Sequence, residues 1–248
     1  MIRTAVLCPH PPLLFRELGG AQDPAAGLRR AAASVVSGAL AGASRVVVVG
    51  GHDTAGSWDP ATPVDVRRFG TTGRPTARPG LPLSLGVGAR LLAEAGWTGP
   101  TELVAVAWHA DTATLDAVAR DLAGRADGTV LLLLGDGSTR RGDTAPGYLD
   151  ERAFPFDDAV AKALADGDAA ALHDLDAGLA EELMVLGSSA LRVLGGVALA
   201  QRATPRADLA YRDDPYGVSW FVATWELTRS PIPLDPGQNP VEPGETPR

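Results

Sequence analysis

Arg45-Val46-Val47-Val48-Val49-Gly50-Gly51-His52 is a β-branched run that is polar on neither face and stops at two glycines and a histidine. A strand with one solvated face alternates apolar and polar residues. A run without alternation belongs to a strand covered on both sides, as in a parallel sheet. Working outward, Thr4-Ala5-Val6-Leu7-Cys8, residues 103–108 and residues 129–134 read in the same way. Residues 25–41, 83–95 and 114–123 between them have the composition and apolar spacing of helices. Alternating strand and helix predicts an α/β fold: a mainly parallel central sheet with helices on both faces. Further on, residues 156–165 predict a helix and residues 169–195 a continuous helical region. Residues 207–212 and 218–227, around Asp213-Asp214-Pro215-Tyr216-Gly217, predict an antiparallel hairpin near the C-terminus.

No repeat of fixed period and no second core separates these elements, so residues 1–228 read as one domain. Residues 229–248 are Pro-rich with few apolar anchors and read as a disordered tail. The long connection 54–80 holds Trp58 and four prolines, with a short strand expected at 64–68. Long loops of this kind tend to serve function.

A formal net charge of -8 without any Lys/Arg-rich run argues against a nucleic-acid surface or an anionic membrane surface. No window approaches the roughly 18 uninterrupted apolar residues of a membrane span. The lone Cys8 excludes an internal disulfide framework, and the first residues lack the apolar stretch of a signal peptide. The expected setting is the cytoplasm and the expected partner a small molecule. The alternating segment 211–227 is a candidate free edge, through which a second copy would form a homodimer.

Three of the chain's four histidines follow strands. His10 stands between prolines in Pro9-His10-Pro11-Pro12, after the first strand, on a backbone that the proline rings make stiff. His52 closes Gly50-Gly51-His52, and His109 follows residues 103–108. The fourth strand opens into Gly135-Asp136-Gly137-Ser138-Thr139-Arg140-Arg141. In parallel sheets ligands bind beyond the carboxyl ends of the strands, where all four segments fall. Two imidazoles with a carboxylate make the facial triad of a non-haem Fe(II) oxygenase, and the same donors suit Zn²⁺. Equally, His10 reads as part of a rigid turn facing water. Asp136 reads either as a group that orients a ligand imidazole or as a turn residue. Arg140 and Arg141 can recognise a substrate carboxylate or be solvated. His173, flanked by Asp174 and Asp176, reads as a surface helix residue. Gly86-Val87-Gly88 lacks the third glycine of a dinucleotide fingerprint, and no Gly-x-Ser-x-Gly elbow surrounds Ser138 or Ser188.

Pro9-His10-Pro11-Pro12-Leu13-Leu14, Gly50-Gly51-His52, Gly135-Asp136-Gly137-Ser138-Thr139-Arg140, Gly147-Tyr148 and Asp214-Pro215-Tyr216-Gly217-Val218 run in one order along the chain. Together they resemble the class III extradiol ring-cleavage dioxygenases of the LigB type, over about residues 3 to 227. Memo-like proteins share that fold. The resemblance implies an Fe(II) site that chelates a catechol beside O₂, with His10 and His52 as the two ligand histidines. It also marks two departures. Thr139 occupies the position of the family's acid-base histidine, and threonine does not titrate near pH 7. Val185-Leu186-Gly187 aligns with a Glu-Cys-Gly sequence that would supply the third ligand, and neither Val185 nor Leu186 can bind a metal. Glu181 and Glu182 lie one turn earlier, about 5 Å away along a helix.

The resulting expectation is a LigB-like protein with a degenerate site that binds a metal or a small aromatic molecule. The alternative is an active Fe(II) dioxygenase. In both, His10 and His52 are the metal residues, and His109, Asp136 and Thr139 occupy the catalytic positions.

Overall fold

The computed structural model describes residues 1–69 and 80–229, which form an α/β fold around one seven-stranded sheet. In chain order the strands are β1 (Thr4–Cys8), β2 (Arg45–His52), β3 (Gly56–Trp58), β4 (Thr101–Ala107), β5 (Thr129–Leu134), β6 (Ala203–Asp213) and β7 (Trp220–Arg229). The helices are α1 (Ala26–Leu40), α2 (Leu83–Glu94), α3 (Thr112–Ala123), α4 (Ala153–Asp166), α5 (Ala169–His173), α6 (Ala177–Glu182) and α7 (Ser188–Ala200). Across the sheet the order is β3-β4-β2-β5-β1-β7-β6. The inner run β4-β2-β5-β1 is parallel. β3 joins β4, β7 joins β1 and β6 joins β7 antiparallel.

Strand alternation divides the core between the two faces. Val47 and Val49 of β2 and Leu131 and Leu133 of β5 pack under α3, α4 and α7 with Leu164, Leu191, Leu194 and Trp225. Val46, Val48, Leu132 and Leu134 pack on the other side with Leu28 and Val36 of α1 and Leu85 and Leu91 of α2. This is why the β2 and β5 runs tolerate no polar residue. Two-faced burial stabilises each of these valines and leucines by about 1.5–3 kcal/mol relative to exposure. Gly88 is explained by the same packing. A Cβ there would overlap the Val48 side chain, so the glycine lets α2 lie close on β2.

Several sequence expectations are corrected. β2 continues through both glycines, so His52 is the last residue of the strand and pairs with Ala107. The strand expected at 64–68 is instead a short 3-10 turn, Val66–Phe69, and the strand of that connection is β3. The helical region 169–195 is three helices, because Asp176 caps α6 by accepting from the Leu179 N–H and Gly187 starts α7. The hairpin is present, but its second strand β7 is interior, so the free edge is β6 and not the whole of 211–227. The tail expected from 229 lies outside the described residues, apart from Arg229, which ends β7. Among the described residues no helix is long and apolar enough to cross a membrane.

Candidate functional site

Register places the mouth residues. Cys8 of β1 and Gly50 of β2 both pair with Leu134 of β5. His10, Asp136 and His52 each stand two residues further on, so they reach the same level at three adjacent strand ends. The outer two are separated by two strand spacings, roughly 10 Å.

His10 is buried, 3% exposed, and its backbone N–H donates to Asp136 Oδ1 at 2.9 Å. Its Nδ1 lies 3.5 Å from Asp136 Oδ2 and makes no hydrogen bond among the described residues. The rigid turn does not point this histidine at water. Burial pushes the Asp136 carboxyl above the usual carboxylate range, opposed by the neighbouring His10. His52 is half-buried, its ring edge-on to Trp58 at 5.7 Å and to Trp108 at 6.4 Å between centroids. Thr139 is buried and its hydroxyl has no partner among the described residues, while its backbone N–H donates to Leu183 O at 3.2 Å. Burial also pushes the Cys8 thiol up to about 12, well outside the range of a reactive thiolate.

The loop 135–141 is clamped from beneath by Asp157 of α4. This wholly buried carboxylate accepts from the Ser138 N–H at 2.9 Å, from Ser138 Oγ at 2.5 Å and from Ser219 Oγ at 2.7 Å. Arg141 lies 3.6 Å from it, pairs with Asp214 and covers the Phe154 ring at 4.5 Å. Its guanidinium is therefore engaged within the fold, which removes it as a substrate anchor. From above, the segment joining α6 to α7 closes over the loop. Gly187 N–H donates to Asp136 O at 3.0 Å, and a Cβ on Gly187 would overlap the Asp136 backbone. The tight fit over Gly135 and Asp136 is why glycine stands at both 135 and 187.

The resemblance names His10 and His52 as iron ligands, and the residues around them do not complete that set. Among the described residues no group of three His, Cys, Asp or Glu side chains is placed to hold a metal ion. Glu182 extends to Arg152 at 2.6 Å, and Glu181 lies 3.8 Å from His109; both glutamates are exposed. Neither serves as the missing carboxylate.

Beside this sealed crevice lies a cavity of about 430 Å³ over the end of β4, between the 108–112 turn, α6 and the start of α7. Trp108, Met184, Val185 and Leu186 form apolar walls, and His109 and Glu181 stand at an exposed rim. His10, His52, Asp136 and Thr139 do not line it. The division follows from the sheet. A Cβ on Gly50 would meet Ser84 of α2, whereas one on Gly51 would meet Trp108 and the Leu186 carbonyl. His52 shares the face of Gly50 and the cavity shares the face of Gly51.

Sequence reasoning missed Trp108, Met184 and Arg192 among the cavity residues. Arg192 did carry a signal. It is the one charged residue in Ser188–Ala200, an otherwise apolar helix, and arginine is seldom fully buried without a counter-charge.

No protein-family model matches the chain, and no curated protein matches it. Among solved structures it is similar to that of an uncharacterized protein from Escherichia coli K12, at 16% identity, over 90% of this chain and 99% of that one, with a TM-score of 0.47. Neither fold nor function is carried over at that level.

Proposed function

We propose that this protein is a small-molecule-binding relative of the LigB-type dioxygenases that has lost ring-cleaving chemistry. The observation that carries this reading is the 430 Å³ cavity at the strand mouth, with apolar walls and a few polar groups at its margins. Its size falls within the range of ligand sites for small organic molecules, roughly 300–1,000 Å³. Aromatic rings fit such walls, because Trp108 offers a flat indole surface and Met184 a polarizable sulfur. Thr139 at the acid-base position and Val185-Leu186 at the third-ligand position support the loss of chemistry. A general acid-base group contributes about 10²–10⁴-fold in rate, and a hydroxyl does not replace it at neutral pH.

Thermal-shift titration with a panel of catechols, aromatic acids and their neutral analogues tests the binding reading. Saturable stabilisation by at least one aromatic compound, reduced in Ala177→Trp at the cavity rim, is the expected result. Anaerobic Fe(II) loading followed by O₂-uptake measurement on the same catechols tests the loss of chemistry. Iron-dependent uptake abolished by His10→Ala would replace this reading with the active dioxygenase, which the unpartnered Nδ1 of His10 favours.

A further inference from the structure

We infer that the cavity over β4 is a site for a small monocarboxylate, with Arg192 as its anchor. This rests on the binding function proposed above and gives the ligand a charge. Arg192 sits in the second turn of α7, is 6% exposed and lines the cavity. Its Nε donates to His173 O at 3.2 Å and its Nη2 to Thr112 Oγ1 at 2.7 Å. Its Nη1 donates to no acceptor among the described residues, and no carboxylate among them pairs with this guanidinium.

The contrast with the other buried guanidinium groups gives this its weight. Arg29, 8% exposed, holds both oxygens of Asp23 at 2.5 and 2.7 Å, and Arg141 lies between Asp157 and Asp214. A buried cation without a counter-ion is unfavourable, and arginine's fixed fork matches a carboxylate. Arg192 has its orientation set by two neutral oxygens, and its fork is free to take one carboxylate. The starts of two helices, α3 at Thr112 and α7 at Ser188, also line the cavity and add partial positive charge there. α7 carries no side-chain cap. The nearby carboxylates do not neutralise the site. Asp111 accepts from the Thr114 N–H at 2.8 Å, and Glu181 stands at the exposed rim beside His109. They do set its selectivity, because two acidic groups at the margin disfavour a dianion such as a phosphate ester. The ligand class is therefore an apolar or aromatic body bearing one carboxylate.

The test is calorimetric titration of the whole chain with three probes of similar shape: benzoate, benzamide and phenyl phosphate. Benzoate is expected to bind, with benzamide weaker by roughly 10-fold or more through loss of a charge-assisted hydrogen bond, and phenyl phosphate weaker because its second charge meets Asp111 and Glu181. Arg192→Gln should lower benzoate affinity by roughly 10- to 100-fold and leave benzamide unchanged. Ala177→Trp, an exposed position on the rim, should weaken both equally. If Arg192→Gln fails to fold, the wild-type comparison of benzoate with benzamide still decides between an anionic and a neutral site. Equal binding of benzoate and benzamide would overturn the anionic site while leaving a small-molecule cavity. Tighter binding of phenyl phosphate would overturn the monocarboxylate class. Absence of binding by all three would overturn the site, and silence across the aromatic panel as well would overturn the binding function itself.

Discussion

The two sides of the strand mouth differ in a way that their sequences do not. On the side of β1 and β5, the motif-bearing residues His10, Asp136 and Thr139 are buried and the loop over them is held by Asp157 below and Gly187 above. On the side of β4, the 108–112 turn, which also carries a strand-end histidine in His109, borders a cavity of about 430 Å³. The connection from α6 to α7 makes both, closing over Asp136 through Gly187 and walling the cavity through Met184, Val185 and Leu186. The strand-end motifs of β1 and β5 thus belong to a rigid framework, and open space lies next to it.

The largest expected effect is at the clamp. Asp157→Ala removes the acceptor of three hydrogen bonds and a neighbour of Arg141, so unfolding in urea should show a loss of about 3–5 kcal/mol. A loss below about 1 kcal/mol would mean that the loop is held by something else.

Next comes the lid of the sealed side. Gly187→Ala forces a methyl group into the Asp136 backbone and should lower stability by about 2–3 kcal/mol. Leu186→Ala, one residue away but partly exposed on the cavity side, should lower it by less than about 1 kcal/mol in the same assay. Equal effects would erase the distinction between the two sides.

A smaller effect, of opposite sign, is expected at Asp136. Burial raises the pKa of this carboxyl in the folded state, so between the ordinary and the raised value the native form binds the proton more tightly than the unfolded chain does. Stability then falls as pH rises from the usual carboxylate range through the raised value. Asp136→Asn keeps an oxygen for the His10 N–H and removes the buried charge. The variant should be more stable than wild type at pH 7 by about 1 kcal/mol. That gain should vanish when melts are repeated near pH 4, close to the ordinary carboxylate value.

The smallest effect lies behind the cavity. His173 meets Asp116 at 2.7 Å and Asp174 at 2.6 Å, which raises its pKa above the ordinary value. Its stabilising contribution is complete below the unfolded value of about 6.5 and is lost as pH rises through the folded one. His173→Gln should flatten that decline in melting temperature. Because His173 O also receives Arg192 Nε, the benzoate affinity of the variant should stay within about twofold of wild type if only the backbone matters.

The strands were legible where burial is two-sided. Residues 129–134 coincide with β5, because Val130 to Leu134 form an apolar run covered by helices on both faces. Breaks in the α-helical region 169–195 were not legible, because Asp168, Asp176 and Gly187 act as caps only once the chain turns there. His10 and His52 were legible as a pair of strand-end histidines and Asp136 as a residue at a third strand end, whereas the contact of buried His10 with Asp136 came only with the fold. Arg192 escaped notice because its role depends on the absence of a carboxylate, and sequence does not show which charges meet.

By itself the sequence determined the layers and the common level of the mouth residues. Continuous apolar strand runs and runs of helical period can bury their surfaces in few ways, and strand register then carries each loop to the same edge. Tertiary structure alone decided which side of that edge is sealed and which is open. That outcome rests on contacts between distant residues, Gly187 on Asp136 and Arg192 on Thr112, whose fit is set by three-dimensional packing.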